Sequence, residues 1–111
     1  MMTLQEAIET LSEQGSTSED ILSFIERDGI PLHECKPDVF ECPLARWLQR
    51  VTGIESVGVS QRAAWDDAHP YDEVILPRIL SKTVDSFDDG FLYTAFLYTA
   101  LSERLYEERT P

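Results

Sequence analysis

Apolar residues recur at helical spacing through the first third of the chain. Leu4, Ala7, Ile8 and Leu11 fall at i, i+3, i+4 and i+7, and Thr3 with Glu6 has the form of a capping box. This predicts an amphipathic helix that stops before Gly15. Ser16, Thr17 and Ser18 supply N-cap candidates, Glu19 and Asp20 suit the positive end of a helix dipole, and Ile21, Leu22 and Ile25 make a second stripe that closes at Gly29. The segment Ile30 to Glu41 contains Pro31 and Pro37 and no sustained period, so it reads as an ordered loop. Pro43 then opens a third helix, with Leu44, Trp47, Leu48 and Val51 as its apolar face and Gly53 as its end.

Beyond Ser56 the period changes to two. Val57 and Val59 alternate with Gly58 and Ser60, and Ala63 and Trp65 keep the same parity, which predicts a short strand or hairpin. Asp66 to Glu73, with His69-Pro70 inside it, reads as a loop, and Val74, Ile75 and Leu76 as a brief second strand before Pro77. Leu76, Ile79, Leu80, Thr83, Val84 and Phe87 restore a helical stripe that Asp88-Asp89-Gly90 interrupts.

The remaining segment repeats itself: Phe91-Leu92-Tyr93-Thr94-Ala95 is followed by Phe96-Leu97-Tyr98-Thr99-Ala100. Five residues advance about 500° around a helix of 3.6 residues per turn, so the two copies wrap different faces. A helix apolar all round is either the central buried element of its own fold or an element covered by a second chain, and both readings stand here. The aromatic residues Phe91, Tyr93, Phe96 and Tyr98 are accordingly partner-binding candidates, with a homodimer as one form of the second reading. Thr and Tyr also suit strands, so a β reading of this segment stays open.

The fold class that follows is mostly α, of α+β type: a compact bundle of four or five helices with a short β-hairpin between helices three and four. The 111 residues make a single globular domain, 1–111, with helices one and two expected to pack on the last helix.

Charge changes the functional picture more than composition does. The chain is 42% hydrophobic, enough to fold, yet carries 21 Asp and Glu against 9 Lys and Arg, a formal net charge of −12. The acids concentrate toward the ends: eight acids and one base in residues 1–35, seven and six in 36–82, six and two in 83–111. Phosphate polymers and anionic membranes attract basic surfaces, so nucleic acid and membrane are disfavoured as partners and a protein partner, basic in character, is favoured. Glu19 and Asp20 are the acidic candidates for that contact. One arrangement would undo this argument: a fold that gathered Arg46, Arg50, Arg62, Arg78 and Lys82 into a single cationic strip.

No stretch of about 18 uncharged apolar residues occurs, and Met1-Met2-Thr3-Leu4-Gln5-Glu6 lacks the features of a secretory leader, so the expectation is a cytoplasmic protein. Cys35 and Cys42 are then free thiols.

Candidate chemistry is sparse. His33, Cys35, Cys42 and His69 supply the donor types of a tetrahedral zinc site, but the two cysteines are separated by six residues rather than set in a tight pair. No metal and no cofactor is therefore predicted, and a small zinc-binding protein is retained as an alternative. Cys or Ser beside His would suit nucleophilic catalysis, but no nucleophile elbow, phosphate-cradling glycine loop or zincin helix is present, so an enzyme is not expected. The pairs Glu19-Asp20, Asp66-Asp67, Asp72-Glu73 and Asp88-Asp89 lack the spacing of a calcium loop and read as solvated caps and turns. Three helices followed by a hairpin also match the order of a winged helix, with Arg46 and Arg50 on one face of helix three and Arg62 on the wing. That DNA-binding regulator is the second alternative.

The run Cys42-Pro43-Leu44-Ala45-Arg46-Trp47-Leu48, then Ser56-Val57-Gly58-Val59, then Leu76-Pro77 leading to Phe87-Asp88-Asp89-Gly90 resembles small uncharacterised proteins of actinobacteria and their mobile elements. The resemblance implies no activity, cofactor or catalytic residue. The functional expectation is thus a non-catalytic acidic protein-interaction module, a small regulator or inhibitor of a protein partner.

Overall fold

A computed structural model describes residues 1–90. The candidates Phe91, Tyr93, Phe96 and Tyr98, and with them the expected packing of helices one and two on a last predicted helix, lie outside the described residues.

The first helix, α1, spans Leu4–Ser12, and Thr3 caps it: its hydroxyl accepts from the Glu6 amide at 3.1 Å and donates to the Glu6 carboxylate at 3.0 Å. Ala7, Ile8 and Leu11 form its buried stripe. Gly15 in the following turn is required by close approach, since a Cβ there would lie 2.2 Å from Cβ of Asp20. The second helix, α2, spans Ser18–Arg27, with the Thr17 hydroxyl accepting from the Asp20 amide at 3.1 Å and Ile21 and Ile25 buried. Gly29 ends it with φ of 107°, a backbone region that costs glycine nothing.

The loop after α2 is ordered through backbone bonds. It holds a 3-10 turn at Leu32–Glu34, and Lys36 N–H donates to Glu41 at 3.1 Å. The carbonyl of Val39 accepts from Val59 at 2.8 Å, which pins the loop alongside the first strand.

The third helix, α3, spans Pro43–Thr52. The Cys42 thiol sulfur accepts from the Ala45 amide at 3.4 Å, Pro43 occupies the first turn, and Gly53 closes the helix at φ of 72°. Leu44, Ala45, Trp47, Leu48 and Thr52 are all buried, because α1, α2 and the first strand pack around this one helix. Trp47 crosses to α2: its ring meets Phe24 edge-on with centroids 5.9 Å apart, and its indole N–H donates to the Asp28 carboxylate at 2.8 Å.

Three antiparallel strands follow in the order β1 (Val57–Val59), β2 (Ala63–Asp66) and β3 (His69–Ile75). The β element between helices three and four is therefore a three-stranded meander rather than a hairpin. The segment read as a loop, Asp66 to Glu73, supplies a tight turn and most of β3. Asp66 makes the turn: its carboxylate accepts from the Ser56 hydroxyl at 2.6 Å and from the Ala68 amide at 3.0 Å. Pro70 is tolerated because the ladder bulges, with Trp65 alone standing between the Ala64↔Val74 and Asp66↔His69 pairs while β3 runs from Pro70 to Glu73. Tyr71 projects from that bulge, 98% exposed.

The fourth helix, α4, runs from 78 to 90, the last described residue. Leu80, Thr83 and Val84 are buried, and the Thr83 hydroxyl donates to the Ile79 carbonyl at 2.7 Å. Asp88-Asp89-Gly90, read as an interruption, is helical. Phe87 packs against the core beside it, and tertiary packing outweighs the weak helix propensity of Asp and Gly. The described part of the fold is thus mixed α+β, with one core centred on α3.

Candidate interaction surface

The buried stripes of α1 and α2 decide where their acids go. With Ile8, Leu11, Ile21 and Ile25 turned to α3, the residues Glu6, Glu9, Glu13, Glu19, Asp20 and Glu26 are all exposed. Arg27 is the one base on these two helices. Within the chain the acids act only locally: Glu9 accepts from Gln5 at 2.9 Å, and Asp20 accepts from the Ser16 amide at 3.2 Å. The ion pairs among the described residues lie elsewhere, His33 with Glu34 at 3.9 Å and Arg62 with Glu73 at 3.7 Å. The α1–α2 surface thus carries its carboxylates without an ion pair among the described residues, and Arg78 and Lys82 of α4 line a depression with Ser16 at its edge. Glu19 and Asp20 both belong to the α1–α2 surface.

The other residues singled out in the sequence are dispersed. His33 and His69 are exposed, on the 3-10 turn and at the head of β3. Cys35 and Cys42 are buried free thiols. Burial pushes the Cys42 thiol up to about 11, and burial also raises Cys35, against the opposing pull of Arg46. Among the described residues, no three His, Cys, Asp or Glu side chains converge on a point that could hold a metal.

The two arginines of α3 are engaged by their own chain. A guanidinium nitrogen of Arg46 donates to Sγ of Cys35 at 3.8 Å, and Arg50 donates to the Asp28 carbonyl. Gln49, between them, donates to the Phe40 carbonyl at 2.8 Å and the Val57 carbonyl at 3.0 Å, tying loop and strand to the helix. These side chains brace α3 against the Asp28 and Cys35 segments, the loop and the first strand.

Three cations do come together. Arg62 in the turn between β1 and β2, with Arg78 and Lys82 on α4, border a shallow groove of about 530 Å³ whose apolar floor is Ile75 and Leu76. Sequence reasoning named all three, but their separation along the chain hides the juxtaposition. A second depression, of about 370 Å³, lies between the start of α3 and α4, with Cys42, Val59, Val84 and Asp88 among its walls. Oδ1 of Asp88 is buried without a hydrogen-bond partner among the described residues, and burial followed by the neighbouring Asp85 and Asp89 carboxylates raises its pKa.

Comparison with protein-family models, with curated proteins and with solved structures returns no match. No helix among the described residues is long and apolar enough to cross a membrane.

Proposed function

We propose that the protein is a non-catalytic acidic interaction module, a small regulator or inhibitor that presents the α1–α2 surface to a basic protein partner. The observation that carries this reading is the set of six exposed carboxylates on α1, on α2 and in the turn between them, which hold one arginine and make no ion pair among the described residues. Such a surface projects a field over about 8–10 Å at physiological ionic strength and speeds encounter with a surface of opposite sign. The engagement of Arg46 and Arg50 favours this over DNA reading by α3, because entry into a groove would first break bonds that hold α3 to α2 and to the loop. The raised pKa of both thiols favours binding over cysteine chemistry, which needs the thiolate.

The test compares the intact chain with a variant in which Glu6, Glu9, Glu13, Glu19, Asp20 and Glu26 are replaced by Gln or Asn. Immobilised wild-type protein should retain a basic partner that elutes as salt rises from about 50 to about 500 mM, and the neutral variant should not retain it. Capture indifferent to both salt and neutralisation overturns the reading.

A further inference from the structure

We propose that the groove bounded by the β1–β2 turn, the end of β3 and the first turns of α4 is a docking site for a short acidic peptide segment with an apolar side chain at its centre, borne by a protein partner. It is a second surface, opposite in sign to the α1–α2 face, and it does not depend on that face having a partner.

Three observations converge on it. The first is charge placement. In a chain of 21 acids and 9 bases, Arg62, Arg78 and Lys82 line one groove that no carboxylate lines. Arg78 and Lys82, four residues apart and so on one side of α4, have no ion pair among the described residues. Arg62 has one exposed contact, with Glu73 at 3.7 Å. Like charges held together repel, and an anionic ligand relieves that repulsion.

The second is the floor. Ile75 is 56% exposed, one of the few large apolar side chains left open among the described residues, and it lines the groove with the three cations and buried Leu76. An apolar side chain set between carboxylates matches both the floor and the rim, whereas a bare inorganic anion leaves the floor unused. Gln61 and Ser81 add hydrogen-bonding groups at the edge.

The third is shape combined with net charge. The groove is open and shallow, which suits an extended segment laid along it better than a small molecule that must be enclosed. A nucleic acid strand would run beyond the groove onto the exposed acids of a chain with net charge −12. A segment of about five residues, roughly 17 Å long when extended, can stay within the cationic zone.

The experiment is fluorescence anisotropy on the full chain with a fluorescein-labelled pentapeptide, Glu-Glu-Leu-Glu-Glu. Comparison probes are the same peptide with Lys for Glu, the same peptide with Ser for Leu, and a labelled single-stranded oligothymidylate. The expected result is binding of the Glu/Leu peptide alone. Arg78→Glu combined with Lys82→Glu should weaken it about tenfold or more, and Ile75→Asp should do so independently. The conservative pair Arg78→Lys and Lys82→Arg should retain binding, and the melting temperature of each variant shows that it has folded. No binding of the Glu/Leu peptide, affinity unchanged in both weakening variants, or equal binding of the oligothymidylate lost in the same variants each overturns the proposal. So does sedimentation showing that a second copy of the chain, and not the peptide, occupies the groove.

Discussion

Replacing Trp47 by Phe tests the claim that α3 is the centre of the fold. Trp47 is 2% exposed, packs edge-on against Phe24 at 5.9 Å, and donates its indole N–H to Asp28 at 2.8 Å. Phe keeps an aromatic ring but removes the donor, and a hydrogen bond to a charged acceptor contributes about 1.5–3 kcal/mol. The smaller ring also gives up roughly 30–40 Å² of buried apolar surface, about 1 kcal/mol, with a further cost where the space does not collapse. The sum is a loss of about 2–4 kcal/mol, a large part of the roughly 5–15 kcal/mol typical of a small domain. Urea unfolding followed by far-ultraviolet circular dichroism measures it directly, with the denaturant slope unchanged if the native state stays compact. Asp28→Asn keeps an acceptor and removes the charge, so it should cost less than Trp47→Phe. A loss below about 0.5 kcal/mol for Trp47→Phe would refute the central role given to this residue.

Other consequences are open to equally simple measurement. Gly53→Ala should destabilise by about 1 kcal/mol or more, because the position sits at φ of 72°, which a residue with a Cβ rarely adopts; an unchanged melting temperature contradicts this. Asp88→Asn should raise the melting temperature at pH 7. The Asp88 pKa is raised above 3.8 in the fold, so the folded state binds more protons than the unfolded one, and this group's contribution to stability falls as pH rises from 3.8 through the folded pKa. The advantage of the Asn variant should therefore shrink on acidification toward that value, and a constant difference across pH argues against the assignment. Cys42, pushed up to about 11, should react with a thiol reagent at pH 8 only as fast as the native state opens; labelling within seconds that is unaffected by urea rejects its burial.

The helical half of this architecture could be read from local chemistry because its signals are local. Thr3 and Thr17 stand at the N-caps and Gly53 occupies the left-handed position that ends α3, as the spacing suggested, while the N-cap role of Cys42 before Pro43 is seen only in the structure. The sheet was legible only in part. His69-Pro70 reads as a breaker, and the turn that rescues β3 depends on Asp66 taking bonds from Ser56 and Ala68, of which the Ser56 bond comes from across the sheet. The hub was missed for a related reason. The apolar stripe of α3 repeats the i, i+3, i+4, i+7 spacing of α1, and its centrality follows from three elements packing on the same helix. Arg46 and Arg50 look like a solvent face at spacing four, and only the folded backbone shows that they brace the Cys35 and Asp28 segments. The cationic groove joins residues from a turn, a strand end and a helix, a juxtaposition that no periodicity encodes.

The claim on which the functional account turns is that the exposed acids of α1 and α2 form the contact with a basic protein. Amide hydrogen exchange of the intact chain, free and bound to the partner that it retains, tests this most directly. Slowed exchange concentrated in residues 4–27, and lost as salt is raised, is the predicted result; a footprint that leaves those two helices unprotected contradicts it.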